Sequence, residues 1–303
     1  MIEIQGITKR YGDIVSLDNV NAKIESGSVY GVIGSNGAGK STLLRVMAGI
    51  FRPDSGNVLY DGRSVWENTA VKQEIFYISD EEYKLPGAST DDMMKFYRNI
   101  YKNFDMERYE TLCNIFKLER KRSLSTFSKG MKRQTDILLA LSCRPKYLLC
   151  DETFDGLDPV MRQFVKKLIC EEVAENGMTP IIASHNLREL EDLCDHVGLI
   201  HRGGILFESD IDELKGGILK IQMVAGDDCA DISSFAPLKI VDFKKTGSVI
   251  TLIVRGNEAE TEEKILSLSP KFYEILPLTL EEVFISEMEE IGYDFTEILD
   301  KNG

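Results

Sequence analysis

Residues 34–42 read GSNGAGKST, a glycine-rich stretch between two apolar runs, VYGVI and LLRVMAGI. The spacing fits the pattern G-x-x-x-x-G-K-[ST], with Gly34, Gly39, Lys40 and Ser41 at its defined positions. Glycines let successive backbone N–H groups point at one anion, and the start of a following helix adds positive charge there. In such a loop the lysine reaches the outer phosphates of a nucleotide and the hydroxyl ligates Mg²⁺. The stretch is therefore interpreted as a phosphate-binding loop.

Two acidic residues, Asp151 and Glu152, follow the apolar stretch YLLC. A nucleoside triphosphate site needs a carboxylate for its metal and a group that orients the attacking water, and we assign Asp151 and Glu152 to these two tasks. Paired acids after a strand are also common in solvated loops, so the assignment depends on the phosphate loop upstream. His185 follows the next apolar stretch, TPIIA, and is placed to reach a γ-phosphate. Because parallel strands end at one edge of a sheet, these groups are expected to meet there.

The periodicity of apolar residues predicts the elements that position these groups. Nearly continuous apolar runs at Ser28–Ile33, Tyr147–Cys150 and Thr179–Ala183 predict buried parallel strands, and residues 159–176 predict the helix between the last two. A helix is predicted over Leu43–Ile50. The pattern predicts an α/β fold with a parallel-sheet core, an N-terminal β region that includes a hairpin around Asp61-Gly62, and a helical insertion at about residues 89–142.

A second, smaller domain is predicted after a change of composition near Leu214. Its pattern gives a strand, LKIQMV, then a hairpin around Gly247, a helix near residues 259–267, a strand near Tyr273 and a helix from Thr279. The expected organisation is an ATPase domain over residues 1–215 and a small α+β extension over residues 216–303.

Composition excludes several classes of protein. The formal net charge is −14, and a nucleic-acid surface would require clustered Lys and Arg instead. The N-terminus lacks the apolar core of a signal peptide, and no apolar run approaches the roughly 20 residues of a membrane span. The six cysteines show no close pairing and are interpreted as free thiols of a reducing compartment. The chain is expected to be cytosolic and to bind no nucleic acid.

A third motif, FSKGMKRQ at residues 127–134, lies upstream of Asp151. Together with GSNGAGKST (Walker A) and YLLCDE (Walker B), it makes the chain resemble the nucleotide-binding subunit of an ATP-binding cassette (ABC) transporter, of the bacterial export type with a separate permease. The motif stands where that family has the signature LSGGQ: Ser128 and Gly130 agree with it, and the other three positions differ. Ser128 can cap a helix that starts near Gly130, which is a second anion-binding helix end. The resemblance covers about residues 1–215 and implies a P-loop NTPase (RecA-like) core.

The resemblance implies a set of site residues. ATP and Mg²⁺ are the expected cofactors, with Glu152 and His185 as catalytic residues and Tyr11 stacking on adenine. Asp80 follows the strand IFYIS where the family has the glutamine of its Q-loop, with Glu81 and Glu82 as competing candidates, and it joins Ser41 and Asp151 as a candidate metal ligand. Asp158 is the acid of the D-loop. The residues expected to contact ATP are Tyr11, Gly34, Ser35, Asn36, Gly37, Ala38, Gly39, Lys40, Ser41, Thr42, Ser128, Gly130 and Asp158.

The implied function is ATP hydrolysis at an interface between two copies of the chain, or between this chain and a paralogue, which powers a separate permease. The chain would then lie on the cytoplasmic face of the membrane through that permease. Two alternatives stay open at this point. One is a cytosolic ABC ATPase that is not coupled to transport, and the other is a regulatory subunit of weak turnover, because Asp80 replaces an amide.

Overall fold

The computed structural model describes residues 1–80, 84–215, 217–224, 235 and 238–290. It divides into two compact units, Met1–Glu208 and Ser209–Gly303. The division falls a few residues before the boundary predicted from composition. Each unit is described by itself.

An antiparallel sheet forms the N-terminal part of the first unit. Its strands are β1 (Ile2–Tyr11), β2 (Ile14–Ile24), β4 (Ser55–Tyr60) and β5 (Arg63–Ser64), in the order β2-β1-β4-β5. The hairpin predicted around Asp61-Gly62 joins β4 to β5, and both turn residues have positive φ, 48° and 74°. This is the geometry that a two-residue turn needs to match the twist of its strands. β1 and β2 run for 10 and 11 residues, and polar residues alternate with apolar ones along this half-exposed sheet.

A six-stranded sheet forms the core of the first unit. Its strands are β3 (Tyr30–Ile33), β6 (Ile75–Ile78), β7 (Tyr147–Asp151), β8 (Thr179–Ser184), β9 (His196–His201) and β10 (Gly204–Asp210), in the order β10-β9-β3-β8-β7-β6. β3 is parallel to β8 and β9, and β7 is parallel to β6 and β8. β3, β7 and β8 are buried along their whole length. The strand order confirms the predicted parallel-sheet core, and it brings the ends of β3, β7 and β8 to one edge.

Helices surround this sheet and form the insertion. They are α1 (Lys40–Met47), α2 (Thr69–Lys72), α3 (Thr90–Ile100), α4 (Met106–Phe116), α5 (Lys129–Ser142), α6 (Pro159–Asn176) and α7 (Leu187–Glu191). Side chains of Ser89, Asp105, Ser128 and Asp158 cap the starts of α3, α4, α5 and α6 by accepting a backbone N–H of the first turn. α1 starts at Lys40, not at the predicted Leu43, because the glycine loop runs directly into the helix. No helix in the described residues is long and apolar enough to cross a membrane.

The second unit is a small α+β fold. Its elements are α8 (Ile211–Lys215), β11 (Ile218–Val224), β12 (Lys239–Thr246), β13 (Val249–Arg255), α9 (Glu258–Ser267), β14 (Phe272–Leu276) and α10 (Leu280–Glu290). The four strands are antiparallel in the order β12-β13-β11-β14, and Met223, Leu252, Val254 and Ile265 lie in their common core. The strands and helices predicted from the sequence are present here.

Five cysteines lie in the described part of the chain, and all are free thiols. Cys113, Cys143, Cys150 and Cys194 are buried, and Cys170 is exposed. Cys229 lies outside the described residues.

Candidate nucleotide-binding site

The phosphate loop leaves the end of β3 and enters α1, and two of its glycines are required by close backbone contacts. A Cβ at Gly34 would lie 2.5 Å from the carbonyl oxygen of Ile200. Gly39 has φ 116°, and a Cβ there would lie 2.6 Å from the carbonyl oxygen of Ser16. Only glycine avoids the steric overlap at both positions and the backbone strain at position 39. The loop is therefore held tightly against β2 and β9.

Lys40 and Ser41, the first residues of α1, join the loop to the two acidic residues at the end of β7, Asp151 within the strand and Glu152 directly after it. The Lys40 side chain is only 5% exposed, and its Nζ donates to the carbonyl oxygens of Gly34 (2.7 Å) and Ser35 (3.2 Å). The same ammonium lies 3.3 Å from Oε1 of Glu152. Ser41 Oγ donates to Oδ1 of Asp151 at 2.9 Å. A buried ammonium needs such partners, and they fix the positive charge of Lys40 beside the carboxylate of Glu152.

Glu152 and His185 form the second contact of the site, between the ends of β7 and β8. His185 Nδ1 lies 2.9 Å from Oε2 of Glu152. The backbone N–H of Glu152 donates to the carbonyl oxygen of Ala183 on β8 (3.0 Å). Glu152 has φ 45°, a strained conformation for a residue with a side chain. Such strain persists where surrounding structure enforces it and is frequent at functional sites.

Asp151 is fully buried, and both oxygens of its carboxylate accept hydrogen bonds. Ser41 donates to Oδ1, and the hydroxyl of Tyr77, on β6, donates to Oδ2 at 2.9 Å. Burial raises the pKa of Asp151 above its usual value, and the two hydrogen bonds and the charge of Arg45 oppose that shift. Sequence reasoning missed Tyr77, because a tyrosine in an apolar strand resembles an ordinary core residue.

The signature residues lie beside the D-loop segment. Ser128 caps α5 by accepting from the N–H of Met131 (3.2 Å), and Asp158 caps α6 by accepting from the N–H of Met161 (2.9 Å). A Cβ at Gly130 would lie 2.7 Å from the carbonyl oxygen of Gly156, so the two segments approach at the backbone. Two capped helix starts are thus brought together, and each carries partial positive charge.

Tyr11 and Asp80 have other neighbours in the structure. Tyr11 is 44% exposed and meets the ring of Phe51 edge-on, with a centroid distance of 6.1 Å. Asp80 is half exposed, and its Oδ1 lies 3.5 Å from Nη2 of Arg133 on α5. Thr42 Oγ1 accepts from Ser16 Oγ at 2.9 Å. The stacking role of Tyr11 and the metal role of Asp80 stay predictions.

Known proteins are similar to this chain in sequence and in fold. A family model described as ABC transporter matches residues 17–155. The chain is 31% identical over 287 residues to the ABC transporter ATP-binding protein YtrB of Bacillus subtilis, covering 95% of this chain and 98% of YtrB. It is 36% identical over 214 residues to the lantibiotic transport ATP-binding protein SrtF of Streptococcus pyogenes, covering 70% of this chain and 92% of SrtF. A solved ATP-binding subunit of an ABC transporter superposes with a TM-score of 0.66 at 24% identity, covering 71% of this chain and 92% of that one.

The fold, the phosphate loop and these sequence relatives define a P-loop ATPase of the ATP-binding cassette class. The chain belongs to the ABC transporter family, as an ATP-binding subunit with ATPase activity. The resemblance read from the three motifs is thereby confirmed.

Proposed function

We propose that two cassettes, this chain with a second copy or a paralogue, close over two ATP molecules and drive a separate membrane permease. The observation that carries the proposal is the contact of Gly130 with Gly156, which sets the capped starts of α5 and α6 side by side. Ser128 and the neighbouring Lys129 are exposed there. Two helix starts attract an anion, and the γ-phosphate held by the opposing subunit is a suitable one.

Mg²⁺ fits the residues present at the end of β7. Ser41 Oγ and Asp151 Oδ1 lie 2.9 Å apart, and both are the hard oxygen ligands that Mg²⁺ prefers. Within the described residues no group of three or more His, Cys, Asp or Glu side chains forms a metal cage. That agrees with Mg²⁺, which is commonly bound by one or two protein oxygens together with substrate phosphates and water. When bound, the ion would neutralise charge on the phosphates.

The side chains around Glu152 suggest how the chain hydrolyses ATP. Lys40 binds the outer phosphates of ATP. Its ammonium then leaves the carboxylate of Glu152, because the phosphates carry more negative charge. Glu152 then orients and deprotonates the attacking water, while His185, 2.9 Å from it, reaches the γ-phosphate. Loss of the γ-phosphate removes the anion that α5 of the opposing subunit contacts, and the two subunits then separate.

The helical insertion is proposed to carry this motion to the permease. α5 begins at the signature residues, and two of its side chains contact residues that follow β6: Arg133 contacts Ser79 and Asp136 contacts Lys84. When the signature residues close on ATP, α5 and the residues that follow β6 would therefore move together. Export is proposed as the direction, because the three motifs resemble those of bacterial export-type cassettes. The chain would be peripheral on the cytoplasmic face of the membrane through the permease.

Steady-state ATPase measurement of the purified chain, alone and with membrane vesicles from its source, tests the proposal. Vesicles should stimulate turnover, and Glu152→Gln should show no stimulated turnover. Equal turnover with and without vesicles would favour an ATPase uncoupled from transport. ATP-dependent association with negligible turnover in both conditions would favour a regulatory subunit, the reading that the carboxylate of Asp80 supports.

A further inference from the structure

Tyr77 contacts the carboxylate that the proposed function assigns to the metal. Its hydroxyl donates to Oδ2 of Asp151 at 2.9 Å, while Ser41 donates to Oδ1 at the same distance. Each carboxylate oxygen thus has one donor, and the two donors come from different elements, β6 and α1. A carboxylate held at both oxygens cannot rotate about its terminal bond without losing one hydrogen bond.

Strand register explains how Tyr77 reaches this position. β6 is parallel to β7, with Tyr77 opposite Leu149. Asp151 lies two residues beyond Leu149, so its side chain is on the same face of the sheet as that of Tyr77. A shorter side chain at position 77 would end beside Leu149, whereas the length of tyrosine brings its hydroxyl to the end of β7. The contact therefore follows from both the register and the residue type.

The surroundings of Tyr77 keep its hydroxyl a donor. The carboxylate of Asp151 can only accept a hydrogen bond, so the hydroxyl of Tyr77 is the donor of this contact. The side chains of Ser79 and Arg45 are also within hydrogen-bonding reach of the hydroxyl. The hydroxyl thus belongs to a polar cluster at the metal carboxylate, although the ring of Tyr77 packs against the apolar core.

We propose that Tyr77 is a positioning residue for the ATPase reaction. It holds Asp151 in the orientation that the metal requires, and it ties that carboxylate to β6, the strand that leads to Asp80 and the helical insertion. The inference rests on the proposed role of Asp151 in binding Mg²⁺. Tyr77 acts through the carboxylate of Asp151 and does not itself contact the nucleotide.

Tyr77→Phe removes one oxygen and keeps the ring, so it tests the hydrogen bond alone. Tyr101→Phe is a matched control, because Tyr101 is also half-buried and its hydroxyl donates to the carbonyl oxygen of Ile75 on the same strand at 3.0 Å. Each variant is compared with the wild type by its thermal midpoint, by calorimetric affinity for ATP with and without Mg²⁺, and by Mg²⁺ titration of turnover.

Tyr77→Phe should raise the Mg²⁺ concentration for half-maximal turnover by about five-fold, the factor that corresponds to one lost hydrogen bond of ordinary net strength. Its ATP affinity should fall by a similar factor with Mg²⁺ and stay unchanged without it. Tyr101→Phe should lower the thermal midpoint and leave the Mg²⁺ titration unchanged. Where the wild type depends on Mg²⁺, an unshifted titration for Tyr77→Phe, or an equal shift for both variants, would overturn the inference. A wild-type chain indifferent to Mg²⁺ would instead overturn the metal role of Asp151, and the inference with it.

Discussion

Arg133 Nη1 donates to the carbonyl oxygen of Ser79 at 2.8 Å, from a side chain that is fully buried on α5. One turn further along the same helix, Asp136 forms an ion pair with Lys84. The two contacts attach α5 to Ser79 and Lys84, which follow β6 in the chain. Because a buried guanidinium without partners is strongly unfavourable, the attachment is expected to persist as the insertion moves.

Charge exchange between Lys84 and Asp136 tests this attachment. Both side chains are mostly buried, at 13% and 15% exposure, so Lys84→Asp alone or Asp136→Lys alone places like charges together and should cost about 2–4 kcal/mol of unfolding free energy. The double variant restores the pair with reversed polarity and should recover at least half of the loss. Urea denaturation of the three variants measures this. If the double variant loses as much unfolding free energy as the two single variants together, the two residues do not interact.

Lys40→Met should lower ATP affinity by about 100-fold or more, because the outer phosphates lose their charge-assisted hydrogen bonds from the loop. Lys167→Ala is a control, since that lysine is 73% exposed on α6. Isothermal calorimetry with ATP measures both variants. The interpretation of residues 34–42 as a phosphate loop would fail if Lys40→Met bound ATP as tightly as the control.

Asp80→Gln introduces the amide that the family has in its Q-loop and removes one negative charge. If Asp80 is a metal ligand, the Mg²⁺ dependence of turnover should shift, since carboxylate oxygens are stronger ligands of Mg²⁺ than amides. Glu81→Gln and Glu82→Gln, at positions outside the described residues, are compared in the same titration. Identical curves for all three variants would remove Asp80 from the metal site and leave its contact with Arg133 as its role.

Asp61→Asn should destabilise the first unit in a pH-dependent way. Lys146, the N-terminal ammonium and Tyr147 all donate to Asp61 and hold its pKa well below the usual range. A depressed pKa in the folded state stabilises the protein above the unfolded-state value of about 4, and that contribution disappears as the pH falls through the folded-state pKa. Asparagine also tolerates the positive φ of this turn residue. Thermal midpoints should differ from the wild type at pH 7, and the difference should shrink as the pH falls below about 4 toward the folded-state pKa of Asp61; a constant difference would contradict the ionic origin.

Much of the site was predictable, because its residues follow strands whose apolar runs are plain in the sequence. The ends of β3, β7 and β8 share one edge of the sheet. This edge brings together five predicted side chains, those of Lys40, Ser41, Asp151, Glu152 and His185. The carboxylate of Asp151 could be assigned from its place after YLLC together with the phosphate loop upstream.

The contacts of Tyr77 and Arg133 could not be predicted in the same way. Whether a tyrosine of β6 reaches Asp151 depends on the register of two strands that are far apart in sequence, and the apolar pattern does not give that register. Arg133 appears in the sequence as one charge among several on a helix, and its burial depends on how α5 packs against the segment after β6. Contacts between side chains and distant backbone carbonyls leave no periodic signal.

The most direct test of the shared site uses Glu152→Gln, which keeps the shape of the side chain and removes the base, so that bound ATP is not hydrolysed. Light scattering should show a monomer without nucleotide and with ADP, and a dimer with Mg-ATP. Adding Ser128→Arg should abolish the dimer and leave ATP affinity nearly unchanged, since a bulky cation would replace the cap of α5 where the opposing γ-phosphate must approach. Ser267→Arg, at an exposed position of the second unit, is the matched control and should still dimerise. A dimer that forms without ATP, or one that survives Ser128→Arg, would contradict closure over a shared γ-phosphate.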